Sequence, residues 1–266
     1  MAAHVQDVFM LFGDSITQGA WEPDRNGFGQ RLSRMSRLYL QRWTGLLTTQ
    51  RPDVYARKLD VLNRGLSGYN TEWGIPVFEQ CIAKSSDQYA PKIRVLAIWF
   101  GANDACIQPS PQHVPLAKFS RNLKQMVEMV KSPESPRYSP ATRIILISPP
   151  PVNTLARRAD LEARNPPLVL DREFEITRAY SEAVREVASA QGVAFVDVWT
   201  AIWDAADRKE ESLSKFLGDG LHLNEDGYKV GAAFVLWNGL LVTWESVDPV
   251  RRADEDHRTG IPRGAL

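Results

Sequence analysis

Cysteine is scarce in this sequence. Its 266 residues include two cysteines, Cys81 and Cys106, and four histidines. Two thiols cannot form the disulfide framework of a small secreted domain, and their spacing matches no metal-binding pattern. We therefore expect both thiols to be reduced, and we expect a protein that uses no metal ion and no other cofactor.

Excess charge and long apolar stretches are also lacking. The 32 Lys and Arg residues balance 32 Asp and Glu residues, so no net charge attracts polyanions and nucleic acid is not an expected partner. No apolar run reaches the roughly 18 residues of a membrane-spanning helix, and the first residues lack the basic start and apolar core of a signal peptide. We expect a cytoplasmic protein that acts on a dissolved small molecule, without a membrane partner, and the sequence leaves a homo-oligomer open.

Short apolar runs alternate with amphipathic stretches, which is typical of βαβ units around a parallel sheet. The predicted strands lie at residues 8–12, 59–62, 95–100, 144–147 and 194–198. Apolar residues at helical spacing predict helices at 116–130, at 176–187 and, after Asn224 as the N-cap, at 230–244. Two stretches rich in proline, serine and charge, 131–142 and 149–167, are predicted to be loops.

This alternation predicts a three-layer α/β/α sandwich with a central parallel sheet. We expect one catalytic domain, residues 1–247, and a charged C-terminal tail, residues 248–266, because the last segment carries few apolar groups. In an open sheet of this kind the ligand crevice lies outside the carboxyl ends of the strands. Polar residues that directly follow the predicted strands are therefore the first candidates for a site.

Three fragments with the residue types of acyl-transfer chemistry follow predicted strands. A Gly-Asp-Ser turn presents the hydroxyl of Ser15 as a candidate nucleophile, although Ser and Gly are ordinary turn residues. Gly68 lies in a Gly-Leu-Ser-Gly turn and Asn103 in a Gly-Ala-Asn-Asp turn. The Asn103 amide and the backbone N–H groups of Ser15 and Gly68 are candidate donors to an oxyanion.

A fourth fragment supplies a base. Asp219 precedes His222 by three residues, so one tight turn brings the carboxylate to Nδ1–H of the imidazole, where it fixes the tautomer and stabilises the imidazolium. An Asp-x-x-His pair on its own is more often a surface turn. In a chain that also carries the other three fragments, it predicts that Ser15, His222 and Asp219 act together.

With these fragments the chain resembles the SGNH (GDSL-type) hydrolase superfamily, whose blocks contribute Ser, Gly, Asn and His. The matching residues are Ser15, Gly68, Asn103 and His222, with Asp219 beside the last. The stretches Leu-Phe-Gly-Asp-Ser-Ile-Thr, Gly-Ala-Asn-Asp-Ala-Cys and Asp-Gly-Leu-His are most similar to the isoamyl acetate-hydrolysing esterase group of that superfamily. The resemblance implies a flavodoxin-like fold and a serine esterase that cleaves short-chain, acetyl-type carboxylic esters through an acyl-enzyme intermediate.

Other enzyme classes fit the same residues less well. The surroundings of Ser15 lack the Gly-x-Ser-x-Gly pattern of an α/β-hydrolase, and no glycine cluster has the spacing of a dinucleotide site. A metallophosphoesterase built on Asp14, Asn103 and Asp104 would need further histidine ligands. Cys106 follows a buried strand, where a lone cysteine more often packs than reacts.

Within the superfamily the sequence leaves several functions open. A lysophospholipase, a thioesterase or a carbohydrate deacetylase is an alternative, and so is a non-catalytic binding module on the same fold. The complete set of fragments favours an enzyme over a binding module. Trp21 and Trp73 closely follow the first two fragments and are candidate pocket walls, with a role as core or loop anchors as the alternative.

Overall fold

The structure is a computed structural model, and it describes residues 7–22 and 59–234. The strands are β1 Asp7–Gly13, β2 Leu59–Gly65, β3 Ile93–Trp99, β4 Arg143–Ile147 and β5 Ala194–Val196. The described helices are α1 Ser15–Gly19, α2 Thr71–Cys81, α3 Leu116–Lys131, α4 Thr154–Glu162, α5 Phe174–Gln191, α6 Val198–Ala205 and α7 Glu225–Phe234, and a 3-10 helix spans Glu210–Lys215.

All five strands are parallel, in the order β2-β1-β3-β4-β5. The last residue of β1, Gly13, pairs with Gly65 at the end of β2 and with Trp99 at the end of β3. The carboxyl ends of these three strands therefore lie side by side, at one edge of the sheet.

Alternate residues of the strands face two apolar cores, as the period of two in a strand requires. On one face the strands pack against α1, α6 and α7, through residues that include Leu11, Ile16, Trp99, Ile202 and Tyr228. On the other face they pack against α2, α3 and α5, through residues that include Phe12, Phe78, Leu123, Leu146 and Val184. The predicted three-layer α/β/α fold is confirmed.

Some predicted elements were wrong or incomplete. The predicted loop at 149–167 contains α4, which begins where the side chain of Asn153 accepts a hydrogen bond from the Ala156 amide. Strand β5 is shorter than predicted, because Asp197 caps α6 by accepting from the Thr200 amide. Helix α2, capped by Asn70, was not predicted.

Other predictions concern residues outside the described part of the chain. The last predicted helix is described as far as Phe234 and extends, in the prediction, over Trp237 and Trp244. The tail at 248–266 also lies outside the described residues, so the domain bounds stay a prediction. Among the helices of the described residues, none combines the length and the apolarity required to cross a bilayer.

The end of β1 has no room for a side chain. A Cβ atom on Gly13 would lie 2.1 Å from Thr17 Oγ1 and 2.2 Å from the carbonyl oxygen of Trp99. We expect Gly13→Ala to lower the free energy of unfolding by about 1–3 kcal/mol, the usual cost of overpacking, because a neighbouring strand cannot move aside cheaply. Urea unfolding measures the change.

Gly231→Ala is the matched control. Gly231 lies in α7, and a Cβ atom there would meet Val198 Cγ1 at 3.8 Å, which is ordinary contact. Because alanine favours a helix over glycine by roughly 0.5–1 kcal/mol, this variant should be at least as stable as the wild type. Equal stability of the two alanine variants would contradict the tight contact at Gly13.

Candidate active site

Ser15 is the first residue of α1 and follows the carboxyl end of β1. Asp14 caps this helix, since its Oδ1 accepts a hydrogen bond from the Ile16 amide at 2.9 Å. The buried hydroxyl of Tyr228 in α7 donates to the carbonyl of Ile16 at 2.7 Å. The turn that carries the half-buried Ser15 side chain is thus held by Asp14, which precedes it, and by Tyr228 from α7.

The structure brings Ser15, His222 and Asp219 together in one hydrogen-bonded row. Ser15 Oγ lies 3.0 Å from His222 Nε2, although 207 residues separate them in the sequence. On the other side of the ring, His222 Nδ1 lies 2.9 Å from Asp219 Oδ2. A tautomer with the proton on Nδ1 donates to Asp219 and leaves Nε2 free to accept from the serine hydroxyl.

A tight loop between the 3-10 helix and α7 presents His222. The amides of Leu221 and His222 both donate to Asp219 Oδ1, at 3.1 and 2.8 Å, so the carboxylate holds its own loop. Gly220 has φ +79°, and a Cβ atom there would lie 2.4 Å from the backbone nitrogen of Arg157. Glycine is needed at this position both for its conformation and for the close approach of α4.

Asp219 is ionised in this setting. Burial on its own would raise the pKa of Asp219, but hydrogen bonds from the His222 ring and from the His222 and Leu221 amides hold that pKa well below its usual range. The guanidinium of Arg157 also donates to Asp219 Oδ2, at 2.9 Å. The carboxylate beside His222 is therefore negative and well placed to face a positive imidazolium.

Asn103 lies in the turn after β3, next to the turn after β2. Its Nδ2 donates to the carbonyl of Tyr69 at 2.8 Å, and its Oδ1 accepts from Arg172 Nη2 at 2.7 Å. An amide nitrogen has two hydrogens, so one N–H of Asn103 stays available to another acceptor.

The two backbone groups predicted as oxyanion donors are also available. Within the described residues, the amides of Ser15 and Gly68 make no hydrogen bond to a protein acceptor. Gly68 adopts φ +80°, a left-handed conformation that glycine takes up without steric cost. These amides and Asn103 are the candidate donor set.

Two further carboxyl groups lie buried near Ser15 and Asn103. Burial raises the pKa of Asp14 to about 6 and that of Asp104 to about 7. Asp104 Oδ1 accepts from the amide of Thr71 at 2.9 Å and from its hydroxyl, which joins the turn after β3 to the start of α2. Asp104 therefore holds the turn after β3 in place.

The buried Asp104 makes stability depend on pH. Because its pKa is about 7 in the folded protein and 3.8 for the free, solvated side chain, as in the unfolded chain, the folded state binds the proton more tightly. Its stabilising contribution is present at low pH and is lost as pH rises towards 7. Asp104→Asn keeps an acceptor at Oδ1 and cannot ionise, so its stability relative to the wild type should rise by roughly 2 kcal/mol from pH 5 to pH 8.

Urea unfolding of both proteins at the two pH values measures this difference. Asp60→Asn is the control, because Asp60 is an exposed residue on β2. This variant reports what the same exchange of Asp for Asn does at an exposed site. A difference for Asp104→Asn that stays constant or falls over this range would contradict the assignment.

Sequence reasoning missed two buried arginines at this site. Arg157 lies on α4 and donates to Asp219, and Arg172 precedes α5 and donates to Asn103. Their side chains are 5% and 3% exposed. Nothing in the sequence distinguishes them from surface arginines, and α4 lies in a stretch that was predicted to be a loop.

The remaining candidates are placed as follows. Trp73 is 40% exposed in the first turn of α2, and its ring meets that of Tyr69 edge to face at 6.2 Å between centroids. Trp21 is half-buried just beyond α1.

The two cysteines are free thiols. Cys106 is buried, with its thiol 3.4 Å from Gln112 Oε1, and burial raises the pKa of the thiol, which disfavours a nucleophilic thiolate. Cys81 is also a free thiol.

A metal centre has no ligand set in the described part of the chain. There, no group of three or more His, Cys, Asp or Glu side chains is arranged to hold a metal ion. The polar atoms around Ser15 are hydrogen-bonded to one another and suit acyl-transfer chemistry, in which a serine, a base and oxyanion donors are required.

Comparison with known proteins agrees with this geometry. A model of the GDSL-like Lipase/Acylhydrolase family matches residues 11–230. The chain belongs to this family. It is 34% identical over 220 residues to the isoamyl acetate-hydrolyzing esterase 1 homolog of Mus musculus, which covers 82% of this chain and 75% of that protein. It is 31% identical over 226 residues to the isoamyl acetate-hydrolyzing esterase of Saccharomyces cerevisiae, which covers 84% and 81%.

Solved structures of other proteins share the fold. A lipase/acylhydrolase from Enterococcus faecalis superimposes with a TM-score of 0.57 at 24% identity, covering 87% of this chain and 94% of that one. An acetylxylan esterase from Geobacillus stearothermophilus gives a TM-score of 0.56 at 20% identity, covering 90% and 97%. The resemblance to the SGNH superfamily and to its isoamyl acetate-hydrolysing group is confirmed, and this GDSL protein is a carboxylic ester hydrolase.

Proposed function

We propose that this enzyme hydrolyses short-chain, acetyl-type carboxylic esters through an acyl-enzyme intermediate on Ser15. The observation that carries the proposal is the row of hydrogen bonds from Ser15 Oγ to His222 Nε2, at 3.0 Å, and from His222 Nδ1 to Asp219, at 2.9 Å. A serine hydroxyl is a weak nucleophile until a base takes its proton, and this row provides the base and the group that orients it.

In the acylation step, Ser15 Oγ attacks the ester carbonyl carbon while His222 Nε2 takes the hydroxyl proton. The imidazolium that forms is stabilised by the ionised Asp219. The tetrahedral oxyanion accepts hydrogen bonds from the amides of Ser15 and Gly68 and from the second Nδ2 hydrogen of Asn103. His222 then gives its proton to the leaving alcohol as the bond between carbon and alkoxide oxygen breaks.

Deacylation repeats these steps with water. His222 takes a proton from a water molecule, the resulting hydroxide attacks the acyl carbon on Ser15, and the same donors hold the second oxyanion. The proton then returns to Ser15 Oγ as the carboxylic acid leaves. Every proton in the cycle passes through His222, so the proposed reaction needs no cofactor.

Two relatives support the acyl class. The proteins of Mus musculus and Saccharomyces cerevisiae that share 34% and 31% identity with most of this chain are named for isoamyl acetate, an ester of acetic acid and a small alcohol. Trp21 and Trp73 stay proposed pocket walls, and the cytoplasm stays a proposed location. A dissolved small ester is the proposed partner.

Ser15→Ala should abolish ester hydrolysis and leave the thermal transition almost unchanged. The hydroxyl does chemistry and contributes little to packing, and removing a serine nucleophile costs about 10⁶-fold in kcat in serine proteases. The measurements are hydrolysis of p-nitrophenyl acetate and covalent labelling by a fluorophosphonate, located by mass spectrometry. Ser67→Ala, on an exposed residue of the neighbouring turn, is the control and should keep both properties. Labelling at Ser67, or an active Ser15→Ala protein, would contradict the mechanism.

The rate of hydrolysis should depend on the length of the acyl chain. We expect kcat/KM on p-nitrophenyl esters to be highest between acetate and roughly hexanoate, because a small pocket gains about 0.8 kcal/mol per buried CH₂ only until its wall is reached. Longer chains should then lose activity. Faster cleavage of palmitoyl esters or lysophospholipid would favour the lysophospholipase alternative, and preference for an acetylated sugar or a thioester would favour the deacetylase or thioesterase alternative.

A further inference from the structure

Arg172 is a buried cation that makes direct contact with Asn103. Its Nη2 donates to Asn103 Oδ1 at 2.7 Å, and its Nε donates to the carbonyl of Ala102, the preceding residue, at 2.8 Å. The residue is 2% exposed. The guanidinium therefore binds the turn after β3 through both the backbone of Ala102 and the side chain of Asn103.

This contact and the hydrogen bond to the Tyr69 carbonyl together set which way the Asn103 amide faces. The oxygen and nitrogen of an amide are nearly equal in size, so packing alone does not choose between its two orientations. A guanidinium donates and cannot accept. If the amide turned over, its NH₂ group would face the Arg172 donors, and Oδ1 would take the place from which Nδ2 donates to Tyr69 O and can donate to an oxyanion.

A second contact of Arg172 reaches the turn after β2. Nη2 also lies 3.3 Å from Gln112 Oε1, and Gln112 Nε2 donates to the carbonyl of Gly68 at 2.8 Å. Gln112 accepts from Arg172 on one end of its amide and donates to Gly68 from the other, so its orientation is set in the same way. Two of the three candidate oxyanion donors are thus connected to one guanidinium.

The position of Arg172 is itself fixed by a buried ion network. Its Nη1 donates to Asp171 Oδ2, and Asp171 accepts two further hydrogen bonds from Arg157, at 3.0 and 2.9 Å. Arg157 in turn donates to Asp219 at 2.9 Å. Arg157 also lies 3.4 Å from Asp160, so the two arginines face three aspartates, and these opposite charges stabilise both buried guanidinium groups.

We propose that Arg172 is a positioning residue for ester hydrolysis, acting through Asn103 by turning its Nδ2 towards the oxyanion. The proposal rests on the function proposed above, in which Asn103 is an oxyanion donor. Arg157 and Asp171 hold the guanidinium of Arg172 and connect it to the carboxylate beside His222.

A double-mutant cycle tests the proposal, with kcat and KM measured on p-nitrophenyl acetate for Arg172→Lys, Asn103→Ala and the double variant. Lysine keeps the charge, but its single ammonium cannot serve Ala102 O, Asn103, Gln112 and Asp171 together. Asn103→Ala should lower kcat by about 10²–10³-fold. Arg172→Lys should lower kcat by roughly 10-fold to 100-fold with KM changed less than about 3-fold, as expected of an interaction made mainly in the transition state.

The kcat of the double variant decides between the two outcomes. If Arg172 acts through Asn103, Arg172→Lys should cost less than about 2-fold in kcat once Asn103 is alanine, because the group it orients is gone. Arg208→Lys, whose side chain is 71% exposed on the surface, is the control for the exchange itself and should leave kcat unchanged. If Arg172→Lys fails to fold, Arg172→Met replaces it in the same cycle, since a methionine side chain fills similar space but cannot donate a hydrogen bond to Asn103.

Two results would overturn the proposal: a folded Arg172 variant with wild-type kcat, or an equal loss of kcat with and without the Asn103 side chain. Either can occur while the wild type remains active, Ser15→Ala is inactive and Asn103→Ala is slow, in which case the positioning role alone fails. A wild type that cannot hydrolyse esters, or an active Ser15→Ala protein, would instead contradict the proposed function.

Discussion

The alignment of three parallel strand ends is the constraint on which this site depends. Gly13 of β1 lies between Gly65 of β2 and Trp99 of β3, so the chain leaves all three strands at one level. Ser15 and Asn103 follow within a few residues, as does Gly68. Groups from separate parts of the sequence therefore meet without any long loop, and the sheet that fixes them is buried on both faces, which limits how far they can move apart.

His222 does not follow a strand end. Polar contacts fix its position, whereas the sheet fixes the position of Ser15. The Asp219 carboxylate binds the amides of its own loop, and Arg157 on α4 binds that carboxylate. The helix that follows the loop, α7, reaches Ser15 through the hydrogen bond between Tyr228 and Ile16. The histidine is thus placed by a few directional interactions, and its position relative to Ser15 depends on side chains far away in the sequence.

This difference explains which parts could be predicted. The strands follow from apolar runs, and Ser15, Asn103 and the Asp219 and His222 pair are short local patterns. Arg172 could not be predicted, because a buried arginine carries no local signature and its partners are defined only when the chain folds. Helix α4 lies in a stretch whose proline and charge predict a loop. The side chain of Arg157, which a sequence pattern assigns to solvent, points into the protein.

The aspartates of the site show how neighbours decide the state of a buried carboxyl group. Asp14 and Asp104 accept few hydrogen bonds, and burial raises the pKa of each, to about 6 and about 7. Asp219 accepts from two amides, from the His222 ring and from Arg157, and its pKa lies well below its usual range even though burial acts in the opposite direction. It stays ionised over the whole range in which the other two titrate. The Asp219 carboxylate therefore keeps its negative charge while the pH around the site changes, and an imidazolium that forms on His222 during the reaction always faces this negative partner.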